Sequence, residues 1–164
     1  MNKINIYVVV YLAAIVAANL LISHFGPAAS IYIAFGLIGL DLSLRDKLHD
    51  KWNGDLSKLW GIVSAGSLIT IALNLEAIDI AIASASAFGI AFIADAMIYH
   101  LLRKKIFLIR ANGSNVAGAA ADSIIFPIMA FGIFPGVHWI ILGQFAAKLA
   151  GGAVFSFALN KLKK

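Results

Sequence analysis

Six apolar runs, each able or nearly able to cross about 30 Å of bilayer hydrocarbon as a helix, follow one another with only short breaks. They lie near residues 4–23, 29–43, 58–75, 78–101, 114–132 and 137–160, separated by Gly, Pro and charged residues. A soluble core cannot hide that much apolar surface: 62% of the 164 residues are hydrophobic and the mean hydropathy is +0.93. The expected fold class is an all-α membrane protein, with six transmembrane helices in one bundle forming a single domain over 1–164. The runs use up the chain, which leaves no extramembrane catalytic or ligand-binding domain and confines function to the bundle. The run at 29–43 is short for a span and is expected to need support from its neighbours or from local thinning. The first run has no Ala-x-Ala-type cleavage site after it and reads as a retained helix.

Positive charge then orients the bundle, because Lys and Arg stay preferentially on the cytoplasmic side. Of the thirteen, Lys3 precedes the first run, and Arg45, Lys47, Lys51 and Lys58 fall between the second and third. Arg103, Lys104, Lys105 and Arg110 fall between the fourth and fifth, and Lys161, Lys163 and Lys164 follow the sixth. The opposite connections, around 24–28, 74–77 and 132–137, hold none. Twelve basic residues on one side place both termini in the cytoplasm, and only Lys148 falls inside a span. The net charge of +5 is thereby explained by orientation, with no nucleic-acid partner required. The segment 45–58, with His49 and Trp52, reads as a cytoplasmic hairpin at the headgroups.

Ionisable groups in hydrocarbon cost roughly 2.5–3.5 kcal/mol each and should face the bundle interior or a cavity. Asp95, Asp122 and Lys148 qualify, and both aspartates lie roughly 10–12 Å below the cytoplasmic surface by helical rise. Helical spacing adds Ser84, Ala87, Ala91 and Tyr99 to the Asp95 face, and Asn115, Gly118 and Phe126 to the Asp122 face. Gln144 and Phe155 accompany Lys148, while Tyr11 and Asn19 lie on the first helix. Together these outline a polar pocket in which Phe, Tyr or Trp139 supply stacking surface for a planar ligand. A salt bridge from Lys148 to Asp95 or Asp122 could serve only to hold helices together, yet it leaves a second acid without a base. Ala13, Ala14, Ala17 and Ala18 form small-residue pairs suited to close helix packing, within the bundle or against another membrane subunit.

Enzyme signatures are lacking. Two aspartates are present without the Gly-x-Gly-Asp context of an intramembrane protease, and no nucleophile setting marks a Ser partner for Lys148. His24, His49, His100 and His138 have no metal-ligand spacing, there is no cysteine, and no phosphate-binding glycine loop for ATP occurs. The expectation is a non-enzyme without cofactor or metal.

The stretch Ala18-Asn19-Leu20, the segment Leu42-Ser43-Leu44-Arg45-Asp46 followed by Trp52, and Ala94-Asp95-Ala96 with Tyr99 stand in an ordered set. With Ser114-Asn115-x-x-Gly118-x-x-x-Asp122-Ser123-x-x-Phe126, Ala130-Phe131-Gly132 and Gly143-Gln144-x-x-x-Lys148, that set resembles the queuosine-precursor transporter family, also called the vitamin uptake transporter family. The resemblance covers most of the chain, although Asp95 stands where the family's pattern often has Glu. It implies a six-helix fold like the substrate-binding subunits of energy-coupling-factor vitamin transporters, in a bacterial inner membrane. It further implies import of 7-cyano-7-deazaguanine, a flat base that carboxylates, amides and an amine could hold. The residues expected to bind it are Asp95, Asp122, Asn115, Lys148, Gln144 and Asn19, with Tyr99 and Phe126. The partners implied are a small purine-like or vitamin-like solute, the lipid bilayer, and either a second copy of the chain or separate energising subunits.

Overall fold

The computed structural model describes residues 3–52, 55–105 and 107–161, and nearly all of them are helical. Helix α1 is Lys3–Phe25, and a short 3₁₀ turn at Pro27–Ala29 leads into α2, Ser30–Ile33. A π-helical turn, Ala34–Ile38, joins α2 to α3, Gly39–Lys51, so that α2, the turn and α3 form one rod. Then come α4, Leu56–Leu73; α5, Ile78–Leu101; α6, Phe107–Phe131; and α7, Val137–Lys161. The described residues thus form six helical rods and no strand. Five segments are long and apolar enough to cross a bilayer: Asn5–Phe25, Pro27–His49, Leu75–Ile98, Gly113–Phe131 and Val137–Leu159. The sixth rod carries the shorter apolar stretch Ser57–Leu73.

The structure corrects the sequence reading at the second rod. Expected to end near Ser43 and to be the shortest, it runs on to Lys51, and α4 is the shorter rod instead. The charges after Asp41 suggest a loop, but they sit on a helix that leans on α7. Ser43 Oγ lies 3.1 Å from the Gly152 carbonyl and 3.0 Å from Ser156 Oγ, and Lys47 Nζ donates to the Leu159 carbonyl at 2.9 Å. Helix α6 likewise begins at Phe107, about two turns before the expected 114. Both ends of the supposed headgroup hairpin are helical, in α3 and α4, and among its remaining described residues Asp55 caps α4 by accepting from Ser57 N at 3.1 Å. Hydrogen bonds from Ser57, with Lys58 beside it, hold the Asp55 carboxyl below its ordinary range.

Two apolar clusters tie the bundle at opposite ends. Tyr11, Ile15, Leu44, Leu48, Leu59 and Val63 pack at one, and Ile22, Ile80, Ala83, Ala87 and Phe126 at the other. Outward, the surface is apolar: Val9, Leu68, Leu73, Ile93, Met97 and Phe157 are all exposed. Inward it is not, for Asn19, Ser30, Asp41, Gln144 and Lys148 are buried. That inside-out distribution is what lipid as solvent demands. Ala14 and Ala18 of α1 are buried within the bundle, so this part of the small-residue stripe packs inside the chain.

Helix ends and crossings depend on glycine at few places. Gly26 and Gly132 adopt φ of 76° and 75° and return their N–H groups to the Ile22 and Ile128 carbonyls, closing α1 and α6. At the α3–α7 crossing, a Cβ on Gly39 would stand 2.7 Å from Gly151 Cα, and one on Gly151 would collide with the Phe35 carbonyl oxygen. Backbones meet there with no room for a side chain. Gly39→Val or Gly151→Val should therefore lower stability by about 1–3 kcal/mol. Gly36→Ala, where a Cβ meets nothing within 4 Å, should leave it unchanged. Thermal melting of the detergent-purified variants checks both.

Candidate functional site

Between the two clusters lies a cavity of about 60 Å³ walled by α1, the second rod, α4, α5, α6 and α7. The π turn contributes Ala34 and Ile38 to the wall. Next to the wall residue Phe126, Pro127 inside α6 has no N–H to give the Ser123 carbonyl one turn back. Pro127 and Ser123 are both buried, and Ser123 Oγ has no partner either.

A chain of polar contacts runs along the cavity. Lys148 Nζ lies 2.6 Å from Asp122 Oδ2 and donates to Gln144 Oε1 at 3.1 Å. Because the ammonium can only donate, it orients the Gln144 amide. The Gln144 NH₂ is thereby turned to Ser30 Oγ, at 2.8 Å, and the Ser30 hydroxyl donates to the Pro27 carbonyl at 2.5 Å. The Lys148 and Gln144 side chains are buried, while the Asp122 side chain is 23% exposed. One ion pair and two neutral groups thus link α6, α7 and the start of the second rod inside the apolar bundle.

The structure brings together five of the eight residues expected from sequence. Asn19, Asp122, Phe126, Gln144 and Lys148 all line the cavity. Asn115 is exposed and lines an adjoining groove of about 360 Å³ between α3, α6 and α7. Asp95 lies behind that wall: it packs on Gly118, and its Oδ1 is buried without a hydrogen-bond partner. Lys148 therefore pairs with Asp122 and not with Asp95. Tyr99 lies on α5, but its side chain is outside the described residues. Trp139, offered as a stacking surface, is 68% exposed at the start of α7; Phe88 and Phe126 supply the aromatic walls of the cavity.

Two residues of the wall escape the sequence reading, Asp41 and Arg45. The Arg45 side chain is only 13% exposed and pairs with Asp46 at 3.6 Å. Ending the second run at Ser43 turned Arg45 into a loop charge, whereas Asp41 lies inside that run and was passed over among the intramembrane charges. Their i, i+4 spacing on a helix was the available signal. Arg45 adds a second base to the cavity wall beside Lys148.

A bundle of apolar rods around a polar, partly ionic cavity, with a second groove beside it, defines a multi-pass membrane protein built to handle a small solute. Residues 3–159 match the family described as "Putative vitamin uptake transporter", and the chain belongs to that family. No curated protein and no solved structure matches the chain.

Lys148→Met should cost about 3–5 kcal/mol, because it strands Asp122 and the Gln144 carbonyl oxygen in the bundle. The double change Lys148→Met with Asp122→Asn removes both charges and should recover most of that loss. Melting temperatures of the single and double variants in detergent decide whether the pair is coupled as described.

Proposed function

We propose that the chain imports a small flat solute across the bacterial inner membrane, namely 7-cyano-7-deazaguanine or a similar purine-like or vitamin-like compound. The observation that carries the reading is the Lys148–Asp122 pair with Gln144 and Ser30, set on a cavity wall inside the spans. Polar groups at that depth are expensive, and a solute rich in hydrogen-bonding edges is the partner that gives them use. Asp122, Lys148, Gln144 and Asn19 would bind its edge and Phe126 its face. Asp95 and Asn115 would act from the flanks, beside Tyr99. A cavity of about 60 Å³ holds roughly four waters at ~15 Å³ each, so a bicyclic base requires the helices to part. The π turn in the wall and Pro127 beside it are where the backbone departs from the regular α-helical ladder.

The groove lined by Asn115, Arg45, Asp46 and Ser156 opens beside the cavity toward the Lys- and Arg-rich end of the bundle. In the proposed topology both termini and that groove face the cytoplasm, so it is the release side. The whole chain acts as a single transmembrane domain. Energy would come from an ion or solute gradient, because the chain has no phosphate-binding loop.

In proteoliposomes containing only the purified chain, uptake of labelled 7-cyano-7-deazaguanine should saturate, and Asp122→Asn should abolish it while the protein remains folded. Undiminished uptake by Asp122→Asn would overturn the site, and no uptake without separate ATPase subunits would favour the substrate-capturing subunit of an energy-coupling-factor transporter. The absence of native cysteine makes the topology directly testable. A cysteine at Ile133 should react with an impermeant maleimide on intact cells, and one at Lys104 only after permeabilisation.

A further inference from the structure

The cavity and the groove beside it are separate spaces with one wall in common. Leu42 and Arg45 of α3, Ala119 of α6 and Lys148 of α7 line both. The groove is the larger, about 360 Å³ against about 60 Å³, and it alone falls in the range of roughly 300–1,000 Å³ that small-molecule sites occupy. It lies on the seam between α3, which packs chiefly on α7, and α6, which packs chiefly on α5. A bicyclic solute in the cavity is therefore one layer of side chains away from a space that can hold it whole.

The two cations of that shared wall are held from opposite sides. Lys148 Nζ is 2.6 Å from Asp122, which lines the cavity and not the groove. Arg45 is 3.6 Å from Asp46, which lines the groove and not the cavity. Taking the partner from a buried charge is strongly destabilising, so a wall that opened by parting its ion pairs would be stiff. Neither pair has to part here. Lys148 can withdraw toward Asp122 and Gln144 in the cavity and Arg45 toward Asp46 in the groove, since both side chains are rich in rotamers. What then stands between the two spaces is apolar, the Leu42 side chain and the Ala119 methyl.

We infer that Leu42, Arg45, Ala119 and Lys148 form the internal gate of the solute's path, and that the groove is the chamber the solute enters on leaving the cavity. The gate opens when the two cations withdraw to their own acids on opposite sides, and it closes when they return to the shared wall. The inference rests on the cavity being the solute's site. It goes further by naming the side chains the solute must pass and by separating binding from passage: holding the gate shut stops import and spares binding.

The chain has no cysteine, so introduced thiols are unique and can be modified reversibly on the folded protein. In one arm, Leu42→Cys and Ala119→Cys together are joined across the gate by a short bis-methanethiosulfonate, with the link verified by mass spectrometry. In the other, Ala153→Cys, exposed in the groove and absent from the cavity wall, carries a benzyl thiol adduct. Each is reconstituted in proteoliposomes and compared with the same variant before modification. Import of labelled 7-cyano-7-deazaguanine should fall about tenfold or more in both, while equilibrium binding changes by no more than about threefold and a reductant restores import. The same adduct on Val154→Cys, exposed on α7 outside the groove, should leave import unchanged. Undiminished import by the linked chain, or by the Ala153→Cys adduct, overturns the inference and leaves the cavity reading intact. Loss of binding together with import overturns it too, because the solute would then rest in the groove or the gate. A native chain that binds no solute overturns the cavity reading, and this inference falls with it.

Discussion

An ammonium and a carboxylate 2.6 Å apart, held inside an apolar bundle, set the terms for the other contacts of the cavity. Burying such a pair is seldom the most stable solution, since well-packed apolar side chains of similar volume often do as well or better. Breaking it is severe. Lys148 and Asp122 therefore tie α7 to α6 while leaving polar surface on a cavity, which an all-apolar seam would not do. From that pair the rest follows outward: the ammonium orients Gln144, Gln144 reaches Ser30, and Ser30 fixes the turn at Pro27 where the second rod begins.

The same economy shapes the backbone. Close crossing at Gly39 and Gly151 leaves no side chains between α3 and α7, and Ser43 uses the contact to reach the Gly152 carbonyl. The α-helical hydrogen-bond register changes at Ala34–Ile38, which lines the cavity, and is broken beside it at Pro127. Irregular helix is tolerated in a membrane where it is buried in protein or lines a cavity, and both interruptions meet that condition.

Much of this was legible in the residues. Six apolar runs announce the rods, and a lone Lys148 among twelve one-sided basic residues announces the interior. Helical spacing from Lys148 to Gln144, and from Asp122 to Phe126, places side chains that the fold indeed brings onto one cavity. What stayed hidden depended on where helices end and which face turns inward. Charges at Arg45 and Lys47 suggest water, yet the cavity wall takes in the first and an α7 carbonyl the second, while Asp41, inside the expected run, was passed over. Trp139 and Asp95 share their helices with cavity residues but do not line the cavity, and an apolar helix carries little periodic signal to tell its lipid face from its inner one.

The chain belongs to the family described as "Putative vitamin uptake transporter". The central claim is that the cavity beside Lys148 and Asp122 is where the solute sits. Filling it is the most direct test. Ser84 lies on the cavity wall, remote in sequence from every charged group of the site. Equilibrium binding of labelled 7-cyano-7-deazaguanine to the native chain and to Ser84→Phe should show one saturable site in the first and none in the second, with both proteins folded. Equal binding by a folded Ser84→Phe chain would place the solute elsewhere and contradict the account.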